Sequence, residues 1–167
     1  MLITTSRRPG HRARVLCREL ARVLPKARYV PRGAKTVEQL ASLAGGLGHA
    51  RVIIVNSIAG RPKELQFLDV TKGWRWLDAR VELGEVKLQR DLGQRVKLEG
   101  TNIYAEGKRA RELADFLMEL LGLQATNKLP DAGAVAVITS NGGLKLEFQL
   151  RPSSGVVGPV LVITDFG

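Results

Sequence analysis

Seven side chains crowd the first 22 residues: Arg7, Arg8, His11, Arg12, Arg14, Arg18 and Arg22. A guanidinium is a planar fork of donors that grips phosphate oxygens in pairs, which the point charge of lysine cannot copy. Pro9 suits the first turn of a helix, where a missing N–H costs nothing. Behind it Ala13, Leu16, Leu20, Val23 and Leu24 recur at helical spacing, and Pro25 stops the run. His11, Arg14, Arg18 and Arg22 then fall on a separate arc of the same helix. One face packs and the neighbouring face is a row of positive charge. The free N–H groups at a helix start add their own pull on anions. The chemistry this points to is phosphate capture. Arg32 and Lys35 in a turn, and Arg61 and Lys63 after a central strand, extend the same set.

The charge balance agrees. Residues 1–83 hold 16 Lys or Arg against 6 Asp or Glu, a net of +10, and residues 84–167 hold 10 of each. Of the 16 basic residues, 12 are arginine. Surface ion-pair networks also use arginine for stability. The first 35 residues, however, carry ten basic groups and a single acid, Glu19, so few partners for such a network exist. A polyanion partner follows.

Catalytic patterns are absent: no GxxxxGK[ST], GxGxxG, GxSxG or HExxH occurs. Two histidines and one cysteine cannot build a usual zinc site. Cys17 reads as a small packing residue, His11 as one more polar side chain of the basic face, and His49 as a loop residue. Asp69, Asp78, Asp91 and Asp165 are scattered, and Ser153-Ser154-Gly155 reads as a turn. The expectation is no enzyme, no metal, no cofactor and no small-molecule substrate. Trp74 and Trp76 can stack bases, but with eight aromatic residues in all, packing inside or at the rim of a sheet is at least as well supported.

The elements that must position these groups are short. Leu2–Thr5 and Ala27–Val30 read as strands, Gly10–Leu24 as the basic helix, and Thr36 with Gln39 as a capping box opening a second helix that ends at Gly45-Gly46. Residues 51–56 are apolar on both faces, as in a buried parallel strand. Leu65–Val70, Trp76–Leu83, Glu85–Leu88 and Thr101–Tyr104 are further extended runs. Lys108–Leu121 carries a stripe of Ala110, Leu113, Ala114, Leu117, Leu120 and Leu121, and Gly122 ends it. Ala134–Thr139, Leu144–Leu150 and Val156–Thr164 follow as strands, the first two joined by an Asn141-Gly142-Gly143 hairpin turn. The result is an α/β class with mixed sheets and strand–helix–strand in both halves, divided as 1–83 and 84–167. At 167 residues, folding buries roughly 70% of the unfolded surface without metal or disulfide. A lone cysteine and the lack of a membrane-spanning run predict a soluble, cytoplasmic protein.

Taken in order, Thr4-Thr5-Ser6-Arg7-Arg8-Pro9, Arg18-Glu19-Leu20, Leu24-Pro25, Arg32-Gly33, Glu38 with Leu40, Val52-Ile53-Ile54-Val55, Gly60-x-Pro62 with Leu65, and Gly158-Pro159 resemble the Brix domain family of ribosome-biogenesis proteins. The likeness covers nearly the whole chain and suits the compact archaeal members. Three positions depart from the family pattern: Ala59 replaces an arginine, Gly73-Trp74 stands for Gly-Pro-Thr, and Val160 replaces the arginine of Gly-Pro-Arg. The resemblance implies two similar α/β half-domains, akin to the anticodon-binding domain of some aminoacyl-tRNA synthetases. It also implies a non-catalytic role in binding ribosomal RNA or its precursor and assisting its folding or processing, with ribosome-assembly proteins as further partners. Two alternatives stand beside it. One is a protein–protein assembly factor using the apolar run Val156–Ile163 as a pairing edge. The other is a metal-dependent RNA-processing enzyme.

Overall fold

The computed structural model of the protein describes residues 1–89, 98, 100–152 and 155–167. The first half comprises β1 (Leu2–Thr5), α1 (His11–Val23), β2 (Arg28–Tyr29), α2 (Val37–Gly46), β3 (Arg51–Ile58), β4 (Arg61–Asp69) and β5 (Arg75–Lys87). Then come β6 (Asn102–Glu106), α3 (Lys108–Leu121), β7 (Gln124–Ala125), β8 (Gly133–Thr139), β9 (Leu144–Arg151), β10 (Gly155–Val156) and β11 (Val160–Phe166). All strands join one mixed sheet in the order β2-β1-β3-β4-β5-β11-β9-β8-β6-β7, with β10 on β9.

The local signals explain the helices. Thr36 Oγ1 accepts from the Gln39 N–H at 3.2 Å and Gln39 Oε1 accepts from the Thr36 N–H at 2.9 Å, closing the capping box of α2. Gly122 ends α3 in the left-handed region, with φ 66°. The apolar stripes of α1 and α3 both pack on one face of the sheet, onto Ile53, Phe67, Val81, Leu146, Phe148 and Leu161. The alternate residues Leu2, Val52, Ile54 and Leu68 point the other way and are covered by Leu40 and Ala44 of α2. Each such side chain, fully buried, contributes about 1.5–3 kcal/mol.

The two ends of the sheet repeat one topology. Strand β1 runs parallel to β2 and β3, as β6 does to β7 and β8. Each trio continues into antiparallel strands, β3-β4-β5 and β8-β9-β11. The Val30 N–H donates to the Ile3 carbonyl at 3.0 Å, and the Thr126 N–H does the same to Ile103 at 2.9 Å. The buried residues Ala13, Leu16, Cys17, Leu20 and Val23 of α1 match Ala110, Leu113, Ala114, Leu117 and Leu120 of α3 at identical spacing. Between the halves the chain ties down the end of α1. The Leu98 N–H donates to the Arg22 carbonyl at 2.8 Å, and Thr101 Oγ1 donates to the Val23 carbonyl at 2.7 Å.

Three sequence expectations change. The runs 76–83 and 85–88 are one strand, β5, of 13 residues, irregular in register against both β4 and β11. The shift leaves Gly84 beside β11, where a Cβ would lie 3.1 Å from Thr164 Cγ2. The run 156–164 is two strands, because Gly158-Pro159 interrupts it. The segment expected as an exposed pairing edge is interior, since β11 lies between β5 and β9. The outer strands are β2 and β7. Asp91 and Ser153-Ser154 lie outside the described residues. Among the described residues, no helix is long and apolar enough to cross a membrane.

Gly158 is the tightest point of this interior. A Cβ there would lie 2.8 Å from both Phe148 Cβ and Val23 Cγ1. Gly158→Ala should therefore destabilise the protein by about 1–3 kcal/mol through overpacking. Urea unfolding should show a lowered midpoint at unchanged slope.

Candidate nucleic-acid interface

The parallel strands β1 and β3 deliver their carboxyl ends to one edge, the place where open α/β sheets bind ligands. The Ser6 N–H still belongs to the sheet, donating to the Val55 carbonyl at 3.0 Å. Beyond it the backbone turns sharply. Arg8 (φ 54°) and Ala59 (φ 49°) sit in the left-handed region, which costs a residue with a Cβ about 1 kcal/mol or more. The two turns touch: a Cβ on Gly10 would lie 2.2 Å from the Gly60 carbonyl oxygen. Gly10, the N-cap of α1, makes no side-chain cap, and no acid occupies the first turn. The helix start is therefore pinned against the β3–β4 turn by backbone contact.

Around this contact the sequence-predicted cations divide into two kinds. Arg7, Arg8, His11, Arg14, Arg18, Arg61 and Lys63 are exposed. Arg14 Nη2 donates to the Pro9 carbonyl at 3.2 Å, and the Arg18 guanidinium stands over the Tyr29 ring, 5.4 Å from its centroid, a cation–π geometry. Arg61 and Lys63 line a cleft of about 540 Å³ with Arg12, Pro62, Glu85 and Val86. The second kind braces the scaffold. Arg12 is half-buried and Nη2 donates to the Val86 carbonyl at 2.8 Å, linking α1 to β5. Arg32 is only 7% exposed and its Nε donates to the Lys35 carbonyl at 2.8 Å. Burial, and then the nearby charge of Arg7, lowers the Arg32 pKa from its ordinary value. Lys35 is half-buried, with Nζ 3.4 Å from the Pro31 carbonyl. Arg22, also half-buried, lies eleven residues past His11, about 16 Å along the helix axis.

The second half does not copy this charge. On the shared spacing of the two helices, Arg14 matches Arg111, but Arg18 and Arg22 match Asp115 and Glu119. The packed stripe is repeated, while the exposed arc stays basic at Arg111 and turns acidic only at Asp115 and Glu119.

Catalytic groups do not gather. Among the described residues, no three His, Cys, Asp or Glu side chains are placed to hold a metal. Cys17 is buried with Sγ 3.4 Å from the Thr4 carbonyl, and burial pushes its thiol pKa up. His49 is half-buried with Nδ1 3.1 Å from the N-terminal nitrogen, and burial lowers its pKa. Asp69 Oδ1 accepts from the Thr71 N–H at 2.9 Å and from its hydroxyl at 2.6 Å, bonds that hold the Asp69 carboxyl below its ordinary pKa.

Sequence reasoning missed one feature of this surface and left another, at the far end of β4, undecided. Gly10 and Gly60 act through their lack of a side chain, a role that only the fold reveals. Trp74 and Trp76, for which base stacking and packing inside or at the rim of a sheet were both open, are 43% and 46% exposed, so neither is in the core. The signal available was their alternation with cations in Lys72-Gly73-Trp74-Arg75-Trp76.

Comparison with known proteins follows the same lines. A Methanopyrus kandleri protein named "Probable Brix domain-containing ribosomal biogenesis protein" is 37% identical over 98% of this chain and 93% of its own length. A Pyrococcus horikoshii protein of the same name is 40% identical over 56% of this chain and 42% of its own length. A crystal structure of a probable ribosomal biogenesis protein from Aeropyrum pernix K1 superposes with TM-score 0.83 at 27% identity, covering 97% of this chain and 93% of that one. An archaeal Imp4-like protein shares the fold with TM-score 0.74 at 22% identity, over 100% of this chain and 99% of that one. No family model matches the chain.

The Gly10–Gly60 contact gives a direct test of the site's architecture. Gly10→Ala should force the β3–β4 turn away from α1, because its obstacle is a backbone atom that cannot rotate aside. The expected result is a loss of about 1–3 kcal/mol in urea unfolding. Gly60→Ala, whose Cβ would meet nothing within 4 Å but whose φ is 77°, should lose only the smaller left-handed backbone penalty, about 1–2 kcal/mol.

Proposed function

The chain belongs to the Brix domain family of ribosomal biogenesis proteins, and from that premise we propose that it is a non-catalytic factor that binds ribosomal RNA or its precursor through its basic first half. The observation that carries this reading is the exposed set Arg7, Arg8, His11, Arg14, Arg18, Arg61 and Lys63 around a helix start that no acid caps. Arg12, Arg32 and Lys35 serve it from behind, holding the turns in place, and Arg22 extends the footprint along α1. Free N–H groups and guanidinium forks grip phosphates, and the rigid sheet fixes their spacing. Such contacts position an RNA without reading its sequence. Selectivity then comes from shape, as for other proteins that bind structured RNA. On this reading the likeness to anticodon-binding domains is one of RNA-facing architecture, the task is to help the RNA fold or be processed, and the place is the cytoplasm.

A fluorescence-polarisation titration with a precursor-rRNA fragment, a tRNA and a DNA duplex across a salt series tests it. If ~6–10 phosphates are engaged, affinity should fall about 10³–10⁵-fold between 50 and 200 mM salt. Binding to the rRNA fragment that outlasts the salt stripping off DNA supports the reading, whereas equal affinities for all three leave only a general basic surface. Arg14→Ala/Arg18→Ala should weaken RNA binding and flatten the salt slope by about 2, one for each lost phosphate contact, with circular dichroism unchanged. An unaltered slope removes α1 from the interface.

A further inference from the structure

The first half carries a second surface that the phosphate grip does not use. Both tryptophans of the chain are exposed here, Trp74 at 43% in the turn between β4 and β5 and Trp76 at 46% at the start of β5. Indoles are buried on average, so two exposed neighbours need a reason. The turn that holds Trp74 and leads into Trp76 is ordered. Asp69 caps Thr71, the Val70 N–H donates to the Ala50 carbonyl at 3.0 Å, and Arg75 Nη2 lies 3.6 Å from Asp69 Oδ2. These bonds fix the backbone of the turn, which lowers the ordering cost of binding there.

Trp76 lies opposite Leu68 in the β4–β5 register and forms one wall of a cleft of about 470 Å³. The cleft is also lined by Glu64, Gln66, Asp78, Arg80, Asp165 and Phe166. Donors and acceptors beside an aromatic wall suit the edge and face of a flat heterocycle, and the volume suits one. Lys72 and Arg75 are exposed on either side of Trp74, supplying the backbone charge that accompanies base stacking. From Arg61 to Asp69, β4 spans nine residues, so this turn lies about 26 Å from the phosphate-gripping end.

We infer that Trp74 and Trp76, with the adjoining cleft, form a stacking site for unpaired nucleobases of a single-stranded RNA segment. The inference rests on the RNA-binding reading above. It assigns the two ends of β4 different tasks: phosphates at Arg61 and bases at Trp76. A stacked base does not alter counterion release, so this site adds affinity for single strands without steepening the salt dependence.

Because the chain has two tryptophans and both are in the site, intrinsic emission reports on it directly. The intact protein is titrated with single-stranded RNA decamers, a blunt-ended duplex RNA of two strands, inorganic polyphosphate and a lysine-rich peptide. Quenching by the single strands, but not by polyphosphate or the peptide, is expected. Trp74→Ala and Trp76→Phe/Gln66→Ala should each loosen the single strands by about 5-fold or more while leaving duplex affinity and salt slope unchanged. RNA binding with unchanged emission, or equal loss of single-strand and duplex affinity, overturns this site alone. Quenching by the peptide and not by RNA assigns the surface to a protein. Failure to bind any RNA overturns the phosphate reading as well.

Discussion

The pairing of β11 with β5 is the joint on which the molecule depends. It places Leu161 opposite Val86 and Ile163 opposite Leu83, and the Arg80 N–H reaches the Gly167 carbonyl at 2.8 Å. Without it there would be two small sheets, each with one of the described helices α1 and α3 on the shared face and half a core. With it, α1 and α3 pack over one continuous apolar layer, and the edge that carries the exposed cations gains a rigid base. The joint unites segments far apart in sequence, so the loop-closure entropy falls due before the contacts reward it. Folding should accordingly be slow for a domain of this size.

Rigidity at the interface has a second source, in glycine and arginine. Gly10 allows the β3–β4 turn to meet the helix start at a distance no side chain would permit. Arg12 and Arg32 spend their donors on the carbonyls of Val86 and Lys35. The cations thus form two layers, one that meets solvent and one that keeps the first in register. Formal charge alone ranks them equally; hydrogen bonding separates them.

Local chemistry made much of this legible in the sequence. The Thr36–Gln39 capping box, the α3 stripe with its Gly122 stop, and the Asn141-Gly142-Gly143 hairpin each depend on neighbours in the chain, and each stands where the residues put it. What was not legible depends on distant partners. Nothing in Val160–Phe166 says that it fills the middle of a sheet, because an interior and an edge strand can share one apolar pattern. The two runs around Gly84 form one strand because β11 pairs on both sides of it, with Val81, Glu82 and Leu83 and again with Val86 and Lys87. The exposure of Trp74 and Trp76 follows from a turn whose surroundings come from β4 and the chain's last residues. The exposed cations of α1 were readable from helical spacing, whereas the burial of Arg32 was not.

The sign reversal at two positions of the matched helices has a dynamic side. With Arg18 and Arg22 in one half answered by Asp115 and Glu119 in the other, and all of the net +10 in the first, the molecule is a strong electric dipole. Near a polyanion it experiences torque as well as attraction. It turns its first half forward while still a Debye length away, about 8 Å at physiological ionic strength. More collisions then arrive correctly oriented, and such steering raises association rates by about 10- to 1,000-fold until salt screens it. Asp115 and Glu119 of α3 thereby act before any contact is made, at the tail of a compass needle whose head carries the arginines.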